Sequence, residues 1–511
     1  MKEQASKPAA KATKGIAPST LTRRSLLRNS AMATAAFQIV PGYILGLNGQ
    51  TPPSGKLNIA GVGVGGMGQN NVAKCAEAGE NIVALCDVDP QNYAKGAFGR
   101  WPDAKKYVDY REMLDKQAKE IDAVVIATPD HTHAKIAIDC MSLGKHVYVQ
   151  KPMAYSVYEA RKMTEVARAN KVATQMGNQG RSDDGTRMVA EWIAAGAIGD
   201  VREVETWTNR PVWPQGVEIG RPGVGAPGQA PIPPYRYVPL PGEKDPDRFI
   251  TEKDWFTPDT PPPGMDWNRW LGPASDRPYS RFYHYGLWRA WADFGTGSLG
   301  DLGCHIVDCV FFALKLGFPE HVEANISTFW KSLWKYDAPK NEQFPRSSVV
   351  RYQYPAREGF PPVRLTWWDG GMMPRRPEVL EEGRKMGDSD GGVLFIGDKG
   401  IIMLGCYGQS PRLIPETAMK AFKQPPKTLE RIPGGMGGHE RDWLRACRDP
   451  NKPACSNFDQ AGPLAEMILM GNLAVRFPDR KLLWDGANMR VTNCDEANAF
   501  VRRQCRDGWS V

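Results

Sequence analysis

Leu57-Asn58-Ile59-Ala60-Gly61-Val62-Gly63-Val64-Gly65-Gly66 is the stretch that decides the fold, and Asp87 follows it by twenty-one residues. The apolar run Leu57, Ile59, Ala60 leads into Gly61-x-Gly63-x-x-Gly66. A segment with helical spacing then carries the chain to Ile82-Val-Ala-Leu-Cys-Asp87. The pattern is strand, glycine turn, helix, strand. In such a unit the first glycine makes the turn and the second lets the backbone approach a pyrophosphate. The third, Gly66, lets the helix pack on the strand, so that its N-terminal N–H groups, with Met67 at its start, face the phosphates. Asp87, ending the second strand, is placed to accept hydrogen bonds from a ribose hydroxyl pair. A carboxylate there repels a 2′-phosphate, and no Arg or Lys follows within Val88–Asn92, so the expected cofactor is NAD or NADP with NAD favoured.

Strand–helix alternation continues outward. Ile121–Thr128 reads as a buried parallel strand ending at Pro129-Asp130-His131-Thr132-His133, with a helix from about Ala134 to Leu143. His146–Val149 is a strand running into Gln150-Lys151-Pro152. A helix over 157–170 and a strand over 172–176 complete a doubly wound unit, residues 56–180. Ligands bind at the carboxyl ends of such strands, where Thr128, Lys151 and Gln179 fall. Residues 181–511 read as an α+β domain with an open, mostly antiparallel or mixed sheet, from alternation in Val201–Thr208, Ser347–Tyr354, Val363–Trp368 and Gly392–Ile396. Residues 211–263 hold 14 of the chain's 42 prolines. With Trp213, Tyr235, Tyr237, Trp255 and Phe256 as apolar anchors, they read as an ordered loop rather than a linker.

The net charge of +8 is concentrated: residues 1–36 hold seven Lys/Arg against Glu3, leaving about +2 elsewhere. No basic face remains for nucleic acid. Thr22-Arg23-Arg24-Ser25-Leu26-Leu27-Arg28 is a twin-arginine sequence before a mildly apolar stretch. Gln38, Pro41 and Gly42 interrupt that stretch, so it does not read as a membrane anchor. The expectation is a twin-arginine signal over residues 1–36, passage through that export machinery, and a periplasmic protein that folds around its cofactor before export. Ten cysteines without a CxxC pair or zinc spacing read as structural thiols, and no metal site is expected.

Two sites carry candidate chemistry. In Gly297-Ser-Leu-Gly-Asp301-Leu-Gly-Cys-His305, Asp301 and His305 share a helix face. A carboxylate beside an imidazole raises its basicity and fixes its tautomer, as a base for an alcohol proton needs. Lys151, at a strand's carboxyl end, is placed to hold a substrate hydroxyl and stabilise developing alkoxide charge. Sixteen tryptophans, clustered around 255–291 and at Trp367-Trp368, offer faces for sugar rings, with two or three expected to do so.

Together, the glycine turn, Ala127–His133, Gly144–Pro152 and Gly300–His305 resemble the Gfo/Idh/MocA family, the glucose–fructose oxidoreductase and inositol dehydrogenase group, in its exported branch. The resemblance implies a Rossmann domain, a C-terminal sheet domain often used for homo-oligomers, and NAD(P). It also implies a carbohydrate substrate between the domains. By motif position Lys151 matches the family's lysine, while Asp301 and His305 match its Asp-x-x-x-His pair. Pro129, His133 and Gln150 join Thr128, Lys151 and Gln179 as expected cofactor contacts. One departure stands out: the family usually has Glu-Lys-Pro where this chain has Gln150-Lys151-Pro152, and an amide does not offset the lysine's charge. The expected activity is oxidation of a sugar or polyol hydroxyl with a retained, recycled cofactor. The alternatives are an NAD-dependent glycosidase or lyase using transient oxidation, and a non-catalytic sugar-binding protein.

Overall fold

In the computed structural model, the chain runs from β1 (Asn58–Val62) through α1 (Gly66–Glu77) to β2 (Asn81–Cys86), as the glycine stretch requires. The structure describes residues 55–213, 215, 235–236, 249–250, 259–284, 286–332, 334–337, 342–449 and 451–511. The signal region and most of the 211–263 segment, including Tyr237, Trp255 and Phe256, lie outside the described residues.

Six parallel strands form the first sheet, in the order β3-β2-β1-β4-β5-β6, where β3 is Lys105–Tyr107, β4 Ala123–Ile126, β5 His146–Val149 and β6 Thr174–Met176. This is the doubly wound order, with its switch point between β1 and β4. Central strands β1 and β4 carry side chains buried on both faces (Ile59, Ala60, Val124, Val125), the reason they read as continuous apolar runs. Edge strand β3 is Lys-Lys-Tyr and half exposed, so no apolar run announces it. Helix α2 (Asp130–Ser142) starts four residues before the expected Ala134, because Pro129 takes the extended cap position and Asp130 opens the first turn. Helix α3 (Val157–Asn170) matches its expected bounds and is fixed by a capping box between Ser156 and Glu159.

The second sheet has nine strands. β7 (Val201–Thr208) lies inside it, parallel to Val363–Trp368 and antiparallel to Gly391–Gly397. The remaining pairs described are antiparallel, which makes this a mixed sheet. Behind it runs α5 (Phe458–Arg476), buried nearly all round, touching both this sheet and α3 of the first unit. A two-pronged ion pair, Arg161 Nε and Nη2 to the Glu466 carboxylate at 2.6 Å each, ties α5 to α3. Helix α4 (Gly297–Ile306) packs on α5 and ends at Val307, and a second short helix, Asp308–Ala313, follows it directly. Helix α5 thus bridges the two sheets, and Leu57–Val511 forms a single unit. No helix among the described residues is long and apolar enough to cross a membrane.

Candidate active site

The glycine turn differs in register from its first reading. β1 continues through Gly61, which pairs with Leu85 and Val125 inside the sheet and does not reach the pocket. The turn begins at Gly63, at φ +75°, and a Cβ there would sit 2.7 Å from the Thr128 amide nitrogen. Close helix–strand packing belongs to Gly68, whose added Cβ would meet the Gly63 carbonyl oxygen at 1.9 Å. The fingerprint is therefore Gly63-x-Gly65-x-x-Gly68, two residues later than Gly61-x-Gly63-x-x-Gly66. Overlapping glycines at 61, 63, 65, 66 and 68 permit both spacings, and only the strand's end distinguishes them. Gly66 remains on the pocket wall with Met67, at the first turn of α1. No side chain caps that helix, so its leading N–H groups are available to an anion.

Asp87 lines the pocket, but three of its acceptor positions are used locally. Its Oδ2 accepts from the Val64 and Gly65 amides at 2.8 and 3.2 Å, and Oδ1 from the Asp89 amide at 2.9 Å. Burial pushes its carboxyl up, against those amide bonds. It shapes the turn through three of its four acceptor positions. Tyr93, which periodicity did not single out, lies across the turn: a Cβ on Gly65 would fall 2.1 Å from its Cδ1.

At the end of β4, Thr128 accepts from the Thr132 hydroxyl at 2.7 Å, and Thr128 and Pro129 both line the pocket. His133 also reaches the wall, but its ring is committed: Nδ1 lies 2.8 Å from the Pro152 carbonyl and Nε2 2.7 Å from that of Thr128. Burial holds it down at about 4, the carbonyls notwithstanding. His133 is therefore a brace between two loops rather than a cofactor contact. His131 is similarly enclosed, by the carbonyls of Phe294 and Trp270. The described residues contain no cluster suited to a metal. Gln179 opens a turn beyond β6 and stays off the pocket wall, because neighbouring Arg181 anchors that turn to Asp308 (3.2 Å) and the Cys455 carbonyl (3.2 Å).

Gln150 has a structural reason. Buried Glu440 accepts from Asn71 Nδ2 at 2.8 Å, which turns Asn71 Oδ1 toward residue 150. Gln150 Nε2 donates to that oxygen at 2.8 Å. A carboxylate at 150 has no proton to give, so this environment selects the amide. Lys151 receives its counter-charge elsewhere: its Nζ lies 2.6 Å from Asp301 Oδ1 and donates to the Asp301 carbonyl at 2.8 Å.

That pair corrects the expected Asp301–His305 arrangement. Although both sit on α4, the Asp301 carboxylate turns to Lys151, with Arg289 Nε at 3.4 Å and Arg210 Nε at 3.6 Å. Burial raises the Asp301 carboxyl, but Lys151 and Arg289 more than offset this and hold it at about 2. His305 packs against the Tyr407 ring, 4.8 Å between centroids, and its buried Nδ1 has no partner among the described residues. Burial, then Lys151, depress its pKa well below the ordinary value, so it is a neutral imidazole. Lys151 and Arg289 form the pocket wall, and Asp301 and His305 lie behind it. Among the tryptophans, Trp270, Trp288 and Trp509 line the pocket, whereas Trp291 and Trp367 are core.

A Rossmann sheet, a phosphate-ready helix start and a Lys–Asp pair that joins the end of β5 to α4 define a nucleotide-binding architecture. Residues 57–178 match the family model for the oxidoreductase NAD-binding Rossmann fold, and residues 248–330 match that for the oxidoreductase C-terminal alpha/beta domain. Both models are of the Gfo/Idh/MocA oxidoreductases, which these two segments of the chain resemble. It is 28% identical over 142 residues to an inositol 2-dehydrogenase of Salmonella paratyphi B, a match covering 27% of this chain and 41% of that relative. It is 29% identical over 162 residues to glycosyl hydrolase family 109 protein 2 of Akkermansia muciniphila, covering 30% and 34%. The chain thus aligns with about two fifths or less of these relatives' lengths. In fold it is similar to the WlbA dehydrogenase of Bordetella pertussis, solved with NADH and UDP-GlcNAcA, with a TM-score of 0.53, 16% identity, and coverage of 84% of this chain and 99% of that one.

Proposed function

We propose that this chain is an NAD-dependent oxidoreductase acting on a sugar or polyol hydroxyl. The observation that carries the reading is one pocket running from the start of α1 to Lys151, where the Rossmann unit meets α4. NAD, when bound, supplies the hydride acceptor. Gly65, Gly66 and Met67 hold its phosphates, and Asp87 accepts a ribose hydroxyl and favours NAD over NADP. Thr128 and Pro129 border the nicotinamide end. Lys151, fixed by the Asp301 carboxylate and carbonyl, positions the reacting oxygen and stabilises its developing charge. Neutral His305 takes the hydroxyl proton at Nε2, its Nδ1 being buried. The test is a panel of inositols, hexoses and their acids incubated with NAD. Stoichiometric NADH formation with one of them supports the reading, and none with any member contradicts it.

The twin-arginine leader supports export to the periplasm. Free nicotinamide cofactor is scarce there, which favours a cofactor that stays bound and is recycled. The family's habit supports a homo-oligomer, to be checked by light scattering. Retention also suits a second reading, favoured by the match to the Akkermansia glycosyl hydrolase: glycoside cleavage through transient oxidation. Release of p-nitrophenol from p-nitrophenyl glycosides, without net NADH, would identify it. Absence of release across the common epimers would set it aside.

A further inference from the structure

Three cations converge on one carboxylate at the inner end of the pocket. Lys151 takes Asp301 Oδ1 at 2.6 Å, Arg289 Nε approaches the same oxygen at 3.4 Å, and Arg210 Nε approaches Oδ2 at 3.6 Å. Arg210 has a second counter-charge in Asp390, 3.3 Å from its Nη1. Arg289 has no such second acid among the described residues. Its Nη1 lies 3.3 Å from the Gly286 carbonyl, and its guanidinium rests 4.4 Å from the Trp288 ring centroid. One third of its side chain remains exposed, on the pocket wall.

The other acids of the wall do not neutralise it. Asp87 is bound to its own turn, and Asp109 is paired with Arg269 at 2.9 Å and with Arg111 at 3.2 Å. Asp130, on α2, is raised to about 7 by burial, against the bond from the Thr296 hydroxyl (2.6 Å) and the pull of Arg289 and Lys151. His305 and Tyr407, facing from α4 and from the loop after Ile401–Gly405, carry no charge.

We propose that the pocket takes a sugar bearing a carboxylate, a uronic or aldonic acid, anchored by Arg289 while its reacting hydroxyl lies at Lys151. The inference rests on the oxidoreductase reading and narrows its substrate. A guanidinium fork matches a carboxylate through two parallel bonds, and stacking on Trp288 holds the fork in plane. A neutral polyol leaves that cation sharing one carboxylate with two others, with no counter-charge from the ligand. Cofactor pyrophosphate is the other oxyanion within the same pocket, and the test separates the two sources.

The experiment is calorimetric titration of the full-length protein, saturated with NADH, using D-glucuronate and D-galacturonate against D-glucose and D-galactose. The same titrations are made on R289Q. The uronates are expected to bind at least about tenfold more tightly than the neutral sugars. R289Q is expected to reduce that preference to about twofold, while NADH affinity stays within about twofold. Uronates binding no better than neutral sugars, or a preference that survives R289Q, would overturn the proposal. So would a loss of NADH affinity of about tenfold in R289Q, which would assign Arg289 to the pyrophosphate. A protein that binds the uronates but shows no NADH affinity would keep the acid site and defeat the oxidoreductase reading instead.

Discussion

Lys151 meets both the carboxylate and the carbonyl of a single residue, Asp301, so its ammonium is held from two directions. Methionine at 151 keeps most of the stem's volume and removes the charge. K151M is expected to lower turnover by about 10² to 10³ while leaving NADH affinity within about threefold. Single-turnover kinetics beside an NADH titration would check this, and unchanged turnover would remove Lys151 from the site. H305A is expected to cost about 10² to 10⁴ in turnover. At this scale the sequence exposed the candidate groups Lys151, Asp301 and His305, because they sit in recognisable local patterns. It concealed Arg210 and Arg289, two arginines among many, whose convergence on Asp301 is made by segments 91 and 12 residues distant from it. It also suggested the wrong partner for Asp301: spacing on α4 pointed to His305, and the tertiary approach of β5 supplied Lys151.

Among elements, the hydrogen-bonded chain Glu440–Asn71–Gln150 joins helix His439–Arg448, α1 and the end of β5. Its polarity is set at Glu440, which only accepts when ionised, and each amide passes the donor requirement along. Q150E is therefore expected to place two carboxylates on one asparagine and to destabilise the protein by about 1–3 kcal/mol. Q150E/E440Q, which lets Asn71 reverse, is expected to recover at least half of that loss in a denaturant cycle. Equal stability of Q150E and the parent would contradict this account. Helices and central strands were legible from periodicity because each buries a regular face: 146–149, 157–170 and 201–208 fall where expected. Short edge strand β3 was not, since two exposed lysines leave no apolar pattern. The glycine fingerprint was legible in kind but not in register, because the strand end that fixes it is a matter of pairing, not composition.

Across the whole molecule, all seven histidines are held below the ordinary value of 6.5, chiefly by burial. The unfolded chain therefore takes up protons first as pH falls. Histidine-linked stability is complete above about 6.5 and is lost toward the folded values, about 4 for His133 and His284 and about 3 for His131. Asp130 and Asp369, raised to about 7 by burial, act oppositely: their contribution is complete below 3.8 and fades as pH rises through 7. Burial also raises the carboxyls of Asp87, Glu205, Asp308 and Glu466, yet seven imidazoles outweigh these six carboxyls between pH 7 and 5, where each fully shifted group contributes about 1.4 kcal/mol per pH unit. The melting temperature is expected to fall by roughly 5–10 °C from pH 7 to pH 5. A flat or rising profile would mean the histidines are not buried as described.

The central claim is that this fold holds a nicotinamide dinucleotide in the pocket leading to Lys151. Trp270, Trp288 and Trp509 stand on the wall of that pocket, so excitation of tryptophan should transfer to bound NADH. The decisive measurement is a titration of nucleotide-stripped protein with NADH, followed by sensitised nicotinamide emission. Saturable transfer with a Kd of about 1–100 μM is the predicted result. No transfer up to about 1 mM NADH would contradict the account.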